Sequence, residues 1–219
     1  HTRYGTVTGV QTCALPISPD PNGTRSAFFG IPVTGRQIVF LIYTSGSMDE
    51  PYGMTTSVPG KAVQPVTRLA AAKEQLLLAV QSMDPQARYQ VVTFASEARV
   101  YSKQPVPPNA ASLRALTELL SQLKAHGGTN LYDGLAQALS LQQLKFGQET
   151  PSPIDELFVL SDGEPTAGAV RDPEEILRLV RTANVYLKAR IHCVFAGKGE
   201  GAEFLRKLAV ENGGVFVQR

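Results

Sequence analysis

The sequence predicts a doubly wound α/β domain with a mostly parallel central sheet. Short apolar runs of strand length alternate with longer segments whose apolar residues recur at helical spacing. One connection between two of these strands is too short for a parallel crossover, so one strand must pair antiparallel. The chain has 219 residues, 43% of them hydrophobic and 18% charged, which is enough for a sizeable core.

Composition excludes several classes of protein. The net charge is +2 and the basic residues are scattered, so the basic stripe of a nucleic-acid-binding protein is missing. No apolar run in the sequence approaches the length of a membrane-spanning helix. The two cysteines, Cys13 and Cys193, form neither a metal-binding spacing nor a disulfide framework, and Cys193 is predicted to be a small buried apolar residue.

The first 17 residues are set apart from the fold. The stretch "HTRYGTVTGVQTCALPI" resembles the in-frame translation of a common sequencing adapter, and a signal peptide would need a basic start and a longer apolar stretch. We therefore expect residues 1–17 to be an artefact and the natural N-terminus to be missing. Residues 18–36, which begin with a stretch rich in Pro, Gly and Ser, are predicted to be linker and lead-in, with the domain at 37–219.

The first half of the domain contains three predicted strands and one helix. Residues 37–43, "QIVFLIY", form a continuous apolar run that is typical of a central parallel strand covered on both faces. A polar loop with three prolines is predicted at 49–65, and a helix at 66–83. Residues 88–95 read as the second strand. Residues 98–102 follow after only two residues and must return antiparallel.

The second half alternates helix and strand. A helix is predicted at 109–125, with Asn109 as N-cap and glycines at its end, and another helix begins at residue 131 and runs to 144. A buried strand at 154–162 ends in a polar tip. The remaining elements are a helix at 172–189 that begins with Asp172 and Pro173, a strand at 190–197, a helix at 201–214 and a strand at 215–219. The sheet thus has about six strands with helices on both faces.

Polar side chains gather where the parallel strands end. Ligands of such sheets bind at the carboxyl ends of the strands, which brings together the loops after Tyr43 and Leu160 and the loop "HGGTN". These loops carry three hydroxyls and one carboxylate: Ser45, Ser47, Thr129 and Asp162. Such oxygens are ligands for a hard cation such as Mg²⁺. The serines taken alone are equally typical of a tight turn.

Three segments of the sequence, "YTSGSM", "GGTNLYDGL" and "LSDGEPTAG", resemble in this order the motifs of a von Willebrand factor A domain. The resemblance extends over nearly the whole chain from residue 37 and implies a Rossmann-like fold. It also implies a metal-ion-dependent adhesion site (MIDAS), which reads D-x-S-x-S, then Thr, then Asp. Metal ligation then falls to Ser45, Ser47, Thr129 and Asp162, with Mg²⁺ or Mn²⁺ as the cation.

The same resemblance carries expectations about function. It implies a protein-binding module that is not an enzyme and that docks an acidic side chain of a partner protein through the shared cation. It also implies a larger bacterial parent protein that is exported or associated with a membrane.

The departure from the family pattern is Tyr43, which stands where the family has Asp. A phenol carries no charge at physiological pH, so half of the carboxylate charge at the site is missing. Losses of this kind commonly lower metal affinity by roughly 10–100-fold. Asp49 or Glu50 is close enough in sequence to compensate. Three interpretations stay open: a degenerate site, a weak working site, or a single-base error in an Asp codon.

Two other classes of function compete with metal-dependent adhesion. The first is an interaction domain that has lost its metal site and contacts partners through the same surface, as Tyr43 favours. The second is a serine hydrolase that uses Ser45 or Ser47 with His192 and Asp162. The segment "YTSGSM" lacks the first glycine of the nucleophile elbow G-x-S-x-G, which disfavours the hydrolase.

Overall fold

The structure is a computed structural model that describes residues 26–56, 64–143, 154–197, 199 and 201–219. Residues 1–25 lie outside this range, and with them the predicted artefact at 1–17 and part of the linker. In chain order, the described strands are β1 Ala27–Phe28, β2 Ile31–Pro32, β3 Gln37–Tyr43, β4 Pro51–Thr56, β5 Gln64–Thr67, β6 Arg88–Phe94, β7 Ala98–Val100, β8 Glu156–Ser161, β9 Arg190–Phe195 and β10 Phe216–Gln218. The described α-helices are α1 Arg68–Gln81, α2 Ala110–Gln122, α3 Leu131–Ala138, α4 Pro173–Leu187 and α5 Gly201–Glu211.

The central sheet has six strands in the order β10-β9-β8-β3-β6-β7. Neighbouring strands are parallel except at the edge, where β7 pairs antiparallel with β6. Helices cover both faces, and the predicted fold class is confirmed. The chain leaves β3 for β6 on one side and later returns to β8 on the other side. Strand order therefore reverses between β3 and β8, where doubly wound sheets bind their ligands.

The sheet is central because its middle strands are apolar on both faces. Every residue of β8 is buried, and in β3 all but Gln37 are buried. The rings of Phe40 and Phe158 stack at 5.4 Å across the β3–β8 pair. Cys193 on β9 is fully buried, as predicted, and burial raises the pKa of its thiol.

The predicted helix caps are confirmed. The side chain of Asn109 accepts from the backbone N–H groups of Ala111 and Ser112 and completes a capping box at α2. The carboxylate of Asp172 accepts from the N–H of Glu174 at the start of α4. Asn130 caps α3 in the same way, by accepting from the N–H of Asp133.

Two predicted helix ends are wrong. The helix predicted at 131–144 ends at Ala138, because Ser140 adopts a left-handed backbone (φ 52°) before a short 3₁₀ helix at Leu141–Gln143. Helix α2 ends at Gln122 rather than at the glycines of "HGGTN", since Leu123 is already extended. The carbonyl of Leu123 accepts from Lys73 Nζ at 2.6 Å, which fixes this exit.

The loop predicted at 49–65 is instead partly a β-ribbon. Strands β4 and β5 pair antiparallel and lead directly into α1, while residues 57–63 lie outside the described range. A two-stranded ribbon has only edge strands, and edge strands tolerate proline because one side of the backbone needs no ladder donor. The prolines at positions 51 and 65 therefore did not exclude a strand.

The packed core begins upstream of residue 37, where we predicted the domain to start. Strands β1 and β2 form a small hairpin that buries Phe28 completely. The ring of Phe28 meets Phe40 at 5.4 Å and Phe158 at 5.9 Å. The hydroxyl of Ser26 donates to the carbonyl of Ala79 in α1. The lead-in is therefore part of the same core.

Candidate functional site

The two serines lie just beyond the carboxyl end of β3. The chain turns there into a short 3₁₀ helix, Gly46–Asp49, which buries Met48 beneath it. The hydroxyl oxygens of Ser45 and Ser47 are 2.8 Å apart. Ser47 also donates to Oδ1 of Asp162 at 3.0 Å. Three of the four predicted site residues therefore form one chain of hydrogen bonds.

Asp162 follows the last residue of β8, and its side chain is only 2% exposed. Its two oxygens both have partners. Oδ1 accepts from Ser47, and Oδ2 accepts from Nη1 of Arg68 at 2.8 Å. A buried carboxylate needs such partners, because an unpaired charge is costly to keep away from water.

Thr129 is buried and is fixed mainly by the loop after β8, in the segment "LSDGEPTAG". Its carbonyl accepts from the N–H groups of Thr166 at 3.0 Å and Ala167 at 3.1 Å, and its own N–H donates to Thr166 Oγ1 at 3.3 Å. Gly127 precedes it with φ +81°, where a Cβ would lie 2.8 Å from Ser96 Oγ. The glycine thus allows the turn that leads to Thr129.

Tyr43 occupies the space beneath the strand tips. It is the last residue of β3, it is buried, and its ring packs at 5.0 Å against the ring of Phe94. Its phenol hydroxyl is hydrogen-bonded to the hydroxyl of Thr129. Tyr43 therefore engages the side chain that the family pattern assigns to a metal.

Arg68 is the site residue that sequence reasoning missed. Its Nη1 donates to Asp162 and, at 3.3 Å, to the carbonyl of Ser47, while its Nη2 lies 2.9 Å from Oε2 of Glu50. Its side chain is 15% exposed. The position of Arg68 in the sequence could have indicated its role. It is the first residue of α1, where the helix macrodipole disfavours a cation.

The residues present do not fit a resident divalent cation as they stand. Asp162 is bonded through both oxygens, Thr129 is engaged by Tyr43, and a guanidinium already supplies positive charge. Neither Asp49 nor Glu50 replaces the missing carboxylate beside the serines. Glu50 pairs with Arg68, and the charge of Asp49 acts electrostatically on Lys73. Across the described part of the chain, no group of three or more His, Cys, Asp or Glu side chains is placed to hold a metal.

His192 lies far from the serines. Its Nδ1 accepts from the N–H of Val215 at 3.1 Å, and its ring stacks on Phe158 at 4.8 Å. Its Nε2 is 4.0 Å from Glu156, the first residue of β8, whereas Asp162 follows the last residue of that strand. At about 3.3 Å per residue, Glu156 and Asp162, six positions apart, lie roughly 20 Å from each other. The Ser–His–Asp arrangement of a hydrolase is therefore not formed.

A mostly parallel sheet with hydroxyls and one aspartate at its switch point defines a Rossmann-like α/β domain. The chain belongs to the von Willebrand factor type A domain family, whose model matches residues 60–217. The match includes Thr129 and Asp162 and begins after Tyr43, Ser45 and Ser47. The predicted family is confirmed.

The chain is similar to proteins from several kingdoms of life. Inter-alpha-trypsin inhibitor heavy chain H4 of Homo sapiens is 28% identical over 189 residues, which cover 85% of this chain and 18% of that protein. A solved structure, von Willebrand factor type A from Catenulispora acidiphila, has a TM-score of 0.62 at 25% identity and covers 86% of this chain and 39% of that chain. Proximal thread matrix protein 1 from the mussel byssus, with a zinc-occupied MIDAS motif, has a TM-score of 0.51 at 20% identity and covers 83% and 40%.

The chain spans about a fifth of the length of the curated relatives it matches, 18% in the example above. Because the relatives include mammalian and bacterial proteins, the bacterial parent stays a prediction. In the ranges that the structure describes, no helix combines the length and apolarity needed to cross a membrane. An exported or membrane-associated parent protein also stays a prediction.

Proposed function

We propose that this chain is a non-enzymatic protein-interaction module of a larger protein and that it docks partners without a divalent cation. Domains of this family serve as protein-interaction modules in larger proteins. The docking surface is the face at the carboxyl ends of β3 and β8, and the partner presents an acidic side chain. The observation that carries the proposal is Asp162, whose oxygens are held by Ser47 and by the guanidinium of Arg68.

A divalent ion at this site and the guanidinium of Arg68 would be two cations that share one carboxylate. Unit charges 4 Å apart interact by about 4 kcal/mol at the effective dielectric of a protein surface, so a dication beside Arg68 meets about twice that repulsion. The neutral Tyr43 does not offset this repulsion, whereas an aspartate at position 43 would. A divalent ion therefore binds only if Arg68 moves away, which removes the charged partner of the buried Asp162.

A second candidate is docking through a divalent cation held by Ser45, Ser47, Thr129 and Asp162. The observation in its favour is convergence: the hydroxyl of Ser47 already lies within hydrogen-bonding distance of both the Ser45 hydroxyl and the Asp162 carboxylate. This arrangement requires Arg68 and the Tyr43 hydroxyl to leave their present partners. The two candidates therefore differ in what Mg²⁺ or Mn²⁺ does to the free protein.

Thermal unfolding in EDTA and in increasing Mg²⁺ or Mn²⁺ separates the candidates. For the unchanged chain we expect the same midpoint throughout, because a ligand stabilises a fold only by binding to it. The double variant Tyr43→Asp/Arg68→Gln removes the phenol and the competing cation, and its midpoint is expected to rise with the metal concentration. The single variant Arg68→Gln serves as the matched control for loss of the guanidinium alone.

The metal-dependent candidate makes the opposite prediction. It requires a concentration-dependent rise in the midpoint of the unchanged chain, and loss of that rise in Asp162→Asn. Such a pair of results would overturn metal-independent docking.

A further inference from the structure

The guanidinium of Arg68 contacts two carboxylates in very different surroundings. Asp162 is 2% exposed and Glu50 is 59% exposed, while Arg68 between them is 15% exposed. We propose that Arg68 is the cation that receives the partner's carboxylate and that Glu50 occupies this place in the free protein. This inference rests on the proposed docking function and adds its chemistry and its regulation.

The position of Arg68 indicates that its charge serves the site rather than the helix. It is the first residue of α1, where N–H groups that have no partner inside the helix make the helix end positive and disfavour a cation. The first turn of α1 contains no acidic residue to compensate. The compensation comes from outside the helix, through Asp162 on one side and Glu50 on the other.

The two terminal nitrogens of Arg68 contact different groups. Nη1 points inward and donates to Oδ2 of Asp162 and to the carbonyl of Ser47, which fixes the plane of the guanidinium. Nη2 faces the carboxylate of Glu50 at 2.9 Å. A fixed guanidinium with one outward N–H edge is well suited to carboxylate recognition, because little side-chain freedom is left to lose on binding.

Glu50 is a replaceable ligand. Its backbone is anchored, since its carbonyl accepts from the N–H of Arg68 at 3.0 Å and its own N–H donates to the carbonyl of Ser47 at 3.1 Å. Only the side chain must turn away to free Nη2. The Glu50 end of the pair is exposed to solvent, where ion pairs contribute little, so an incoming carboxylate displaces Glu50 at small cost. Glu50 therefore lowers the affinity for acidic partners without closing the site.

A glycine lies next to the guanidinium on the side of β9. Gly197 follows β9 and lies beside Arg68, where a Cβ would be 3.6 Å from Cζ of the guanidinium. A glycine at this position adds no side chain over that part of the guanidinium.

The test uses two short peptides and the full chain in EDTA. The probe is acetyl-Gly-Glu-Gly-amide, and acetyl-Gly-Gln-Gly-amide is its uncharged control. Binding is followed by the ¹H–¹⁵N signal of the Arg68 side chain, which is assigned by its loss in Arg68→Lys. The affinity of each variant is measured by adding it unlabelled, so that it competes with the labelled unchanged chain for the peptide. We expect a saturable shift with the Glu peptide only, and about two- to fivefold tighter binding in Glu50→Gln.

Arg68→Lys keeps the charge at Asp162 but removes the fork of the guanidinium, so it is expected to fold and to bind the Glu peptide more weakly. Glu97→Gln, which removes a carboxylate from the exposed Arg99–Glu97 pair, is the matched control and leaves the affinity unchanged. Equal affinity of Glu50→Gln and the unchanged chain overturns the proposal. So does an equal response to both peptides, no response to either, or undiminished binding by Arg68→Lys. Since no metal is present, these outcomes are independent of the metal titration that tests the proposed function.

Discussion

Tyr43 and Arg68 together change the chemistry of a single site. In the family pattern an aspartate stands at position 43 and a cation lies between the loops. Here the phenol is bonded to Thr129, and the guanidinium is bonded to Asp162. Each side chain satisfies a buried group that a metal ion would otherwise serve. The two side chains therefore give Thr129 and Asp162 hydrogen-bonding partners at the strand tips.

His192 gives a prediction about pH at the residue scale. Burial lowers the pKa of its imidazole from the ordinary 6.5, the charge of Glu156 acts in the opposite direction, and that of Arg190 adds to the lowering. The Nδ1 accepts a hydrogen bond from Val215 only while it carries no proton. The folded protein therefore binds a proton less readily than the unfolded chain does.

Acid therefore destabilises the folded protein through His192. The contribution of neutral His192 to stability is complete above pH 6.5 and is lost as the pH falls through that value toward the lower pKa of the folded state. We expect the free energy of unfolding, measured in urea between about pH 7.5 and pH 5.5, to decrease toward acid by at most about 1.4 kcal/mol per pH unit. His192→Gln should flatten this dependence, and His126→Gln should preserve it. The same slope in His192→Gln and the unchanged chain would contradict the prediction.

The site was predictable from the sequence to the extent that backbone topology determines it. Parallel strands bring their carboxyl ends together, so the convergence of Ser45, Ser47 and Asp162 followed from the order of the elements. The partners of Arg68 did not follow, because a long side chain has many rotamers and its direction depends on contacts far away in sequence. The inward direction of the Tyr43 ring depends likewise on Phe94, which lies on a different strand.

At the scale of elements, local chemistry predicted the beginnings of helices better than their ends. Asn109 and Asp172 cap their helices as predicted, since a cap depends on only three or four neighbouring residues. The end of α3 depends on the left-handed Ser140, a residue type with no strong preference for that conformation. The β4–β5 ribbon was missed because its prolines occupy edge positions.

The loop after β8 packs closely against Asn130, the cap of α3, and Gly168 allows this close approach. Gly168 has φ +97°, and a Cβ there would lie 2.1 Å from Oδ1 of Asn130, the cap of α3. Gly168→Ala must therefore displace the cap and strain the backbone, and we expect a loss of about 1–3 kcal/mol in the free energy of unfolding. Urea denaturation measures this loss.

Gly163→Ala is the matched control, because it lies in the same loop and nothing lies within 4 Å of its added Cβ. It should change the stability by no more than about 0.5 kcal/mol. If both alanine variants are equally stable, the contact between the loop and Asn130 does not support the site.

At the scale of the whole molecule, the first described residues and the last one meet. Arg219 donates to the carbonyl of Phe29 at 3.0 Å, and the N–H of Arg219 donates to Phe195 in β9. The β1–β2 hairpin thus joins the helix α1, the central strands and the C-terminal residue. Sequence patterning placed the domain boundary after this hairpin, because a two-residue strand is too short to show periodicity.

Shortening the chain from its N-terminus tests this view of the domain. A chain that begins at residue 26 keeps the hairpin and is expected to unfold at the same temperature as the full chain. A chain that begins at residue 37 loses the buried side chains of Phe28, Phe29 and Ile31. Truncation of one buried Phe to Ala costs about 3–5 kcal/mol, so this larger loss is comparable with the whole stability of a typical domain, about 5–15 kcal/mol.

Calorimetry and near-ultraviolet circular dichroism of the two shortened chains provide the measurement. We expect a cooperative transition for the chain from residue 26 and a weak or absent one for the chain from residue 37. Phe28→Ala in the full chain separates packing from chain length, with an expected loss of about 3–5 kcal/mol. A chain from residue 37 that unfolds as cooperatively and at the same temperature as the full chain would place the boundary at residue 37 after all. The hairpin would then be an attachment to the core rather than a part of it.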